Sequence, residues 1–146
     1  MSRMKFVLLA MTALSLLAGG CATTYSVEAR NDTSSAVQLW LTKDGPPVED
    51  GWRAPEDLAS TAGEHEPKYD FAIVEPGKTG YTPNMTGNFP KGTNPVLRVY
   101  GGTDNYFKLA EADKAGHARR ADYVLKPGAN KLVVRETLGR LVVEKE

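Results

Sequence analysis

After residue 24, apolar and polar residues alternate along much of the chain, and this period-two pattern predicts short β-strands. In the first stretch Tyr25, Val27 and Ala29 alternate with polar neighbours, and in the second, residues 37–42, aliphatic side chains occupy every other position. Trp40 falls on the outward face of that second strand. It is either an exposed aromatic residue or a ring packed against a loop.

Turn-forming residues separate the later apolar stretches, which predict strands at residues 69–75, 79–82, 96–100, 106–111, 119–125, 131–136 and 140–145. We expect Phe71 and Ile73 to point into the core, and Pro76-Gly77 to turn that strand onto its partner. The last three stretches predict a three-stranded meander with a tight turn at residues 138–139. Its middle strand holds the unbroken apolar run 132–134, which indicates burial on both faces near the middle of a sheet.

Short strands separated by many of the 14 glycines and nine prolines indicate an all-β fold. We expect a single small antiparallel β-sandwich over residues 25–146, of immunoglobulin-like or transthyretin-like type. A segment of this length can bury one real core and is too short for two comfortable ones.

A long connection at residues 43–68 interrupts the strand pattern. Pro55 is placed to begin a short helix that ends near Ser60. Around Arg53 the segment is strongly acidic, with Asp44, Glu49, Asp50, Glu56, Asp57, Glu64 and Glu66. The spacing of these carboxylates does not match the alternating ligands of a calcium loop, which favours a solvated excursion over a cation site.

The alternative for this acidic loop is a recognition surface. Its partner-binding candidates are Asp50, Glu56 and Asp57 together with Trp52, since aromatic anchors are enriched at interfaces. Trp52 is equally compatible with a ring folded back onto the sandwich. A second irregular loop, at residues 83–95, carries Met85 and Phe89.

The first 21 residues differ from the rest in pattern and charge. Arg3 and Lys5 precede the uncharged apolar run 6–17, and small residues then lead to Cys21, the only cysteine of the chain. A helix that crosses a bilayer needs roughly 20 apolar residues, so this shorter run predicts a cleaved secretory signal over residues 1–20 rather than a permanent span.

Residues 18–21 (AGGC) resemble the lipobox of bacterial lipoproteins, although that class prefers leucine three residues before the cysteine and here Leu17 lies one position further out. The resemblance implies cleavage before Cys21, a covalent diacylglycerol on its sulfur and usually a third acyl chain on the new amine. Because Ala22 rather than aspartate follows, it implies the outer membrane in a host with two membranes. Two or more acyl chains hold a protein firmly, and residues 21–24 form the lipid anchor and a short tether.

Charge and chemistry-bearing residues argue against several functions. Without Arg3 and Lys5, 16 basic residues stand against 18 acidic ones, and the basic residues are dispersed, which is not typical of a nucleic-acid interface. The chain has no Gly-x-Ser-x-Gly nucleophile motif, and an acylated cysteine is not a nucleophile. We therefore expect no enzyme and no cofactor beyond the covalent lipid.

His65 and His117 are the only histidines and the weak candidates for a metal site. Glu64, His65 and Glu66 are consecutive, but neighbouring side chains on an extended chain point to opposite sides and cannot converge on one ion. A zinc site would also need His117 from a distant turn and a carboxylate. We expect no bound metal, and a weak metal-binding periplasmic protein is the minor alternative.

The order of signal, short tether, strand, long loop with a short helix, strand, Pro-Gly turn and closing strands is similar to the outer-membrane lipoprotein of type VI secretion systems. That resemblance implies a sandwich that docks an inner-membrane partner through a loop. More generally, the sequence predicts a lipid-anchored, non-enzymatic protein of the cell envelope. Its loops would contact another envelope protein or the cell wall.

Overall fold

A computed structural model describes residues 22–45, 51–61 and 71–146. Nine strands and two helices are found there, and the strands form two sheets that pack face to face as an all-β sandwich, which confirms the predicted fold class. The elements in chain order are β1 (Thr23–Asn31), β2 (Val37–Asp44), α1 (Pro55–Ser60), β3 (Phe71–Val74), β4 (Thr79–Tyr81), β5 (Met85–Gly87), β6 (Asn94–Gly101), α2 (Tyr106–Lys114), β7 (Arg120–Val124), β8 (Gly128–Thr137) and β9 (Arg140–Lys145).

Sheet I has the strand order β4-β1-β8-β9, and β5 pairs with the beginning of β1 on the same side as β4. Sheet II has the order β3-β2-β6-β7. All pairs are antiparallel except β1 and β8, which run parallel from Tyr25 opposite Gly128 to Asn31 opposite Val134. The first strand of the domain therefore lies inside a sheet rather than at its edge.

Two connections cross between the sheets where the sequence predicted local pairing. The Pro76-Gly77 turn leads from β3 in sheet II to β4 in sheet I, so the two strands do not pair as expected. Likewise β7 pairs with β6 in sheet II, and only β8 and β9 remain of the predicted meander. The apolar run 132–134 lies in β8, between β1 and β9, and all three side chains are buried as predicted.

Helix α2 begins where a strand was predicted over residues 106–111. The side chain of Asn105 caps the helix by accepting a hydrogen bond from the backbone N–H of the third helical residue, at 3.1 Å. Gly116 (φ 73°) ends it in a Schellman motif, in which the N–H of His117 donates to the carbonyl of Ala112 at 2.9 Å. These two signals outweigh the short alternation that suggested a strand.

Strand β3 presents the opposite face to the one predicted. Val74 is buried and Ala72 packs against the core between the sheets, whereas Phe71 and Ile73 are 39% and 49% exposed. The segment is apolar at every position, so alternation could not fix its register, and a shift of one residue reverses every side chain. Phe71 lies on the outer face of sheet II and stacks on Trp40, with ring centroids 4.9 Å apart.

Aromatic rings close the core at the end where β1 begins. Trp52 is buried, with its ring edge-on to Tyr25 (5.7 Å) and Phe89 (4.9 Å). Its indole Nε1–H donates to the carbonyl of Thr86 at 2.9 Å. A Cβ on Gly87 would lie 2.6 Å from the Phe89 ring, so the close approach of β5 to this cluster requires glycine.

The two ends of the sandwich are called here the entry pole and the far pole. β1 begins at the entry pole, where Thr23 pairs with Gly87 of β5. The far pole carries the β8–β9 hairpin, whose two turn residues, Leu138 and Gly139, both have positive φ (52° and 75°). The predicted tight turn is thus confirmed, and at about 3.3 Å per residue the ten residues of β8 place its tip roughly 30 Å from the entry pole.

Candidate functional site: the helix-bearing face of sheet II

Two helices cover the outer face of sheet II and bury a second hydrophobic core there. Trp40 of β2 and Tyr100 of β6 project outward and contact Leu58 of α1 and Leu109 of α2. Trp40 is only 1% exposed, so it is the packed ring rather than the exposed aromatic residue. This face, with α1 and α2 upon it, is the helix-bearing face.

The side chain of Gln38 ties the loop before α2 to sheet II. It is buried, and its amide donates from Nε2 to the carbonyl of Asp104 at 2.7 Å while Oε1 accepts from the Trp40 indole at 3.2 Å. Because a buried amide must satisfy its donors and acceptor, Gln38 fixes where α2 starts. The helix therefore begins beside the far-pole end of β2.

Arg98 links helix α1 to strand β7 through two carboxylates. Its Nη1 donates to Glu56 at 2.8 Å, and its Nε and Nη2 donate to the two oxygens of Asp122 at 3.0 and 3.3 Å. The Arg98 side chain is only 13% exposed. A bidentate arginine–carboxylate pair is geometrically specific, so Asp122 fixes the Arg98 guanidinium on the sheet, and the single bond to Glu56 then connects it to α1.

The same network continues to helix α2. Arg120 of β7 approaches Asp122 (3.6 Å) and forms an ion pair with Asp113 of α2 at 2.9 Å. Asp113 also accepts the hydroxyl hydrogen of Tyr100. Charged and polar groups on α1, β6, β7 and α2 are therefore joined in one continuous chain.

Neighbouring groups raise the pKa values of both Arg98 and Tyr100, which already lie well above neutral pH. Burial lowers the pKa of Arg98, but its hydrogen bond and attraction to Asp122 raise it more, and the net direction is upward. Burial raises the pKa of Tyr100, and the hydrogen bond to Asp113 adds to the rise. At neutral pH Arg98 is a fixed cation and Tyr100 keeps its proton, which suits a structural network better than proton transfer.

The structure separates the residues predicted to form a partner-binding loop. Trp52 lies inside the sandwich and is not an exposed anchor, which corrects that prediction in favour of the folded-back ring. Glu56 is held by Arg98. Asp57 accepts a hydrogen bond from the backbone N–H of Ala54 at 2.9 Å and so caps the start of α1.

Other predicted site residues lie outside the described ranges, namely Cys21, Asp50 and His65. His117 is exposed in the turn after α2. Across residues 22–45, 51–61 and 71–146, no three histidine, cysteine or acidic side chains come together in a way that could hold a metal ion. In these same ranges no helix has the length and apolar character needed to cross a bilayer.

Two concavities border α1 on the helix-bearing face. A crevice of about 260 Å³ lies between α1 and the entry-pole end of sheet II, and Thr42, Lys43, Glu56 and Arg98 are among the residues that line it. A wider groove of about 600 Å³ runs between α1 and α2, and is lined by Glu56, Ala59, Ser60, Phe107, Ala110, Glu111, Asp113 and Lys114. The strand predicted over residues 106–111 left no place for this groove, which needs a helix there. Asn105 before them and Gly116 after them were the available helix signals.

Comparisons with protein-family models, with curated proteins and with solved structures found no match.

Proposed function

We propose that the protein is a lipid-anchored module of the cell envelope that binds another envelope component without catalysing a reaction. The observation that carries the proposal is the position of β1, which begins at Thr23, two residues after the cysteine of the lipobox-like sequence. A domain attached in this way belongs at the membrane. Its host compartment is the outer membrane where the host has two membranes, as Ala22 implies by resemblance.

The tether keeps the domain close to the bilayer. An extended chain covers at most about 3.6 Å per residue, and only Ala22 separates the acylated residue from β1, so β1 begins within several ångströms of it. The entry pole then faces the lipid, and the far pole lies roughly 30 Å further out. The helix-bearing face stands at the side of the domain, where a partner can reach it.

Burial of Trp52 moves the proposed contact surface from the acidic loop to the helix-bearing face. There Phe107 is 46% exposed beside the groove between α1 and α2. The ionisable groups behind that groove are paired with one another, as the Arg98 contacts with Glu56 and Asp122 show. This arrangement supports a preorganised binding surface rather than an active site.

Acylation is tested by mass spectrometry of the N-terminal peptide of the mature protein. We expect a chain that starts at Cys21 and carries a diacylglyceryl group, and we expect a Cys21→Ser variant to incorporate no labelled palmitate. Leu138→Ala, at the far pole, should be acylated normally and serves as the control. An unmodified Cys21, or a mature chain that still carries residues 1–20, would contradict the anchor.

The contact surface is tested by placing a photo-crosslinking amino acid at position 107 or at position 138 in the membrane-bound protein. Both side chains are exposed, at 46% and 97%. We expect a discrete crosslinked product from position 107 only. Equal products from both positions, or a product from position 138 alone, would show that the helix-bearing face is not the contact.

A further inference from the structure

The crevice between α1 and the entry-pole end of sheet II has a buried hydroxyl group in its lining. Thr42 of β2 lines the crevice and is only 2% exposed, yet its hydroxyl makes no hydrogen bond within the described ranges. Every fully enclosed side-chain oxygen and nitrogen of those ranges has a partner, so the Thr42 oxygen is not enclosed and opens into the crevice. A polar group buried this deeply normally has a partner. Here an occupant of the crevice must provide it.

The strand register places this hydroxyl beside Arg98. Arg98 lies opposite Trp40, two residues before Thr42 on the same face of sheet II, so Thr42 and Arg98 are diagonal neighbours. Arg98 uses its Nε and one hydrogen on each terminal nitrogen for Asp122 and Glu56. Each terminal nitrogen of a guanidinium carries two hydrogens. One donor on each nitrogen is therefore unused among the residues that the structure describes.

Helix α1 forms the opposite wall and contributes acceptors. Glu56 accepts from Arg98 through one carboxylate oxygen, and Asp57 accepts from the backbone N–H of Ala54 through one of its own. The second oxygen of each carboxylate makes no hydrogen bond within the described part of the chain. Lys43 and Arg98 balance the charges of Glu56 and Asp57 in the lining. The crevice therefore combines donors and acceptors with no net charge.

We propose that this crevice binds one ring of a neutral saccharide. The inference rests on the proposed function and names the class of ligand that its helix-bearing face takes. Arg98 offers donors, the α1 carboxylates offer acceptors and the Thr42 hydroxyl does both, which matches neighbouring sugar hydroxyls that each donate and accept. The volume of about 260 Å³ lies just below the range for drug-sized ligands and suits a single ring. Ala54 and Trp52 also line the crevice and give the C–H groups of the ring an apolar contact.

A ring of this kind has two sources in a cell envelope, the glycan of the wall and the head group of a glycolipid. The crevice lies toward the entry pole, which the proposed anchor places nearest the bilayer. Both sources present the same hydroxyl groups to Thr42 and Arg98. The shared chemistry is therefore the neutral sugar ring, and the test separates the sources.

The test uses the full-length acylated protein in a detergent without a sugar head group. The probes are the methyl glycosides of glucose, galactose, mannose and N-acetylglucosamine, and saturation-transfer NMR measures their binding. We expect at least one of the four to bind. We expect no signal from methyl glucuronide, methyl glucosaminide or N-acetylalanine methylamide, which represent an anion, a cation and a neutral peptide.

Thr42→Val locates the binding, because it keeps the shape of the side chain and removes the hydroxyl. Loss of one hydrogen bond should weaken the best probe about three- to tenfold. The melting temperature should not fall, since the hydroxyl bonds no other group of the described ranges. Thr42→Ser retains the hydroxyl and should retain the affinity. Thr137→Val makes the same change at an exposed position of the far pole and is the control.

Several outcomes would overturn the proposal. These are no signal from any of the four glycosides, equal signals from the charged or peptide analogues, affinity unchanged by Thr42→Val, or a lower melting temperature in that variant, which would show that the hydroxyl is bonded within the fold.

Nanodiscs identify the source of the ring once a probe binds. If discs that contain a glycolipid with the same sugar reduce binding of the probe, relative to phosphatidylcholine discs, the ring belongs to a lipid head group. Equal binding in both discs assigns the crevice to a glycan outside the bilayer. None of these results bears on acylation at Cys21 or on crosslinking from position 107, so failure here is distinguishable from failure of the proposed function.

Discussion

The outer faces of the two sheets shield their apolar side chains from water in different ways. On sheet I the outer face is open, and charged side chains pair with one another there. Lys131 of β8 pairs with Glu28 of the neighbouring β1 (3.8 Å), and Arg30 pairs with Asp32 just after the same strand (2.8 Å). Beneath them Val133 is buried, because long charged side chains cover apolar surface with their methylene groups. This face needs no further element to cover it.

On sheet II the outer face carries Trp40 and Tyr100, and α1 and α2 shield these rings from water. Charged side chains lie on this face too, but there Arg98 is mostly buried and pairs with Glu56 of α1. From this comparison we expect the outer face of sheet I to tolerate replacement of single residues, whereas that of sheet II depends on α1 and α2 together. Four substitutions can break or sharpen this contrast.

The largest effect is expected from Trp40→Ala. Removing a fully buried indole leaves a cavity beneath both helices, and such truncations cost about 3–5 kcal/mol. Urea unfolding monitored by circular dichroism measures the loss. Val124→Ala, at a position 55% exposed on the same outer face, is the control and should stay within about 0.5 kcal/mol of wild type. Comparable losses from both would refute the second core.

Tyr100→Phe should have the next largest effect. The variant keeps the ring but removes the hydroxyl that donates to Asp113, and a hydrogen bond to a charged group contributes about 1.5–3 kcal/mol. The free energy of unfolding at neutral pH is the measurement. An unchanged value would mean that the network does not hold α2 to the sheet.

The same variant gives a test in alkaline solution. Burial and the hydrogen bond to Asp113 raise the pKa of Tyr100 above its ordinary value of 10.0, so the folded state favours the protonated phenol. Its contribution is complete below pH 10 and is lost as the pH rises above that value. Wild type should therefore lose stability more steeply than Tyr100→Phe above pH 10. If the free energies of unfolding of the two proteins fall in parallel above pH 10, the pKa of Tyr100 is not raised.

Asn105→Ala tests the cap of α2 and should cost about 1 kcal/mol. The side chain of Asn105 satisfies the N–H of Lys108, which otherwise has no partner within the helix. Amide hydrogen exchange over residues 106–108 should speed up, and Asn105→Asp should restore the slower rate. If the aspartate variant exchanges as fast as the alanine variant, the cap is not what orders this end of α2.

The smallest effect is expected from Arg30→Ala on the open face. Arg30 lowers the pKa of Asp32, chiefly through their hydrogen bond, so the contribution is present in neutral solution and is lost as the pH falls through the folded-state pKa of Asp32. The shift in melting temperature should be smaller than that of Asn105→Ala and should vanish in 1 M salt, where the Debye length is about 3 Å. A shift as large as that of Tyr100→Phe would overturn the contrast between the faces.

The sequence predicted the parts of the fold that depend on local pattern. Alternation at Tyr25, Val27 and Ala29 identified β1, and Pro55 marked the start of α1. The Leu138-Gly139 turn was also local. These elements follow from residue spacing and backbone preference alone.

What the sequence could not supply was the choice of partner for each strand. Neither the Pro76-Gly77 turn nor the turn before β8 indicates that the chain crosses to the other sheet, because a turn sequence specifies its own geometry and not the sheet beyond it. The reversed face of Phe71 has a different origin, because the unbroken apolar segment of β3 leaves the register of the strand open. The groove forms because two helices meet over Trp40. That contact joins segments far apart in the sequence, so no local pattern indicates it.

The parallel pairing of β1 with β8 has a mechanical consequence. If the chain is held at Cys21, a pull on the domain is transmitted along the axis of β1. The strand is bonded on one side to β8 over residues 25–31 and on the other to β4 and β5. Such a force loads these hydrogen bonds in shear, because they lie across the strand axis. Many must yield together, so a force applied through the start of β1 meets the sheet where it resists force best.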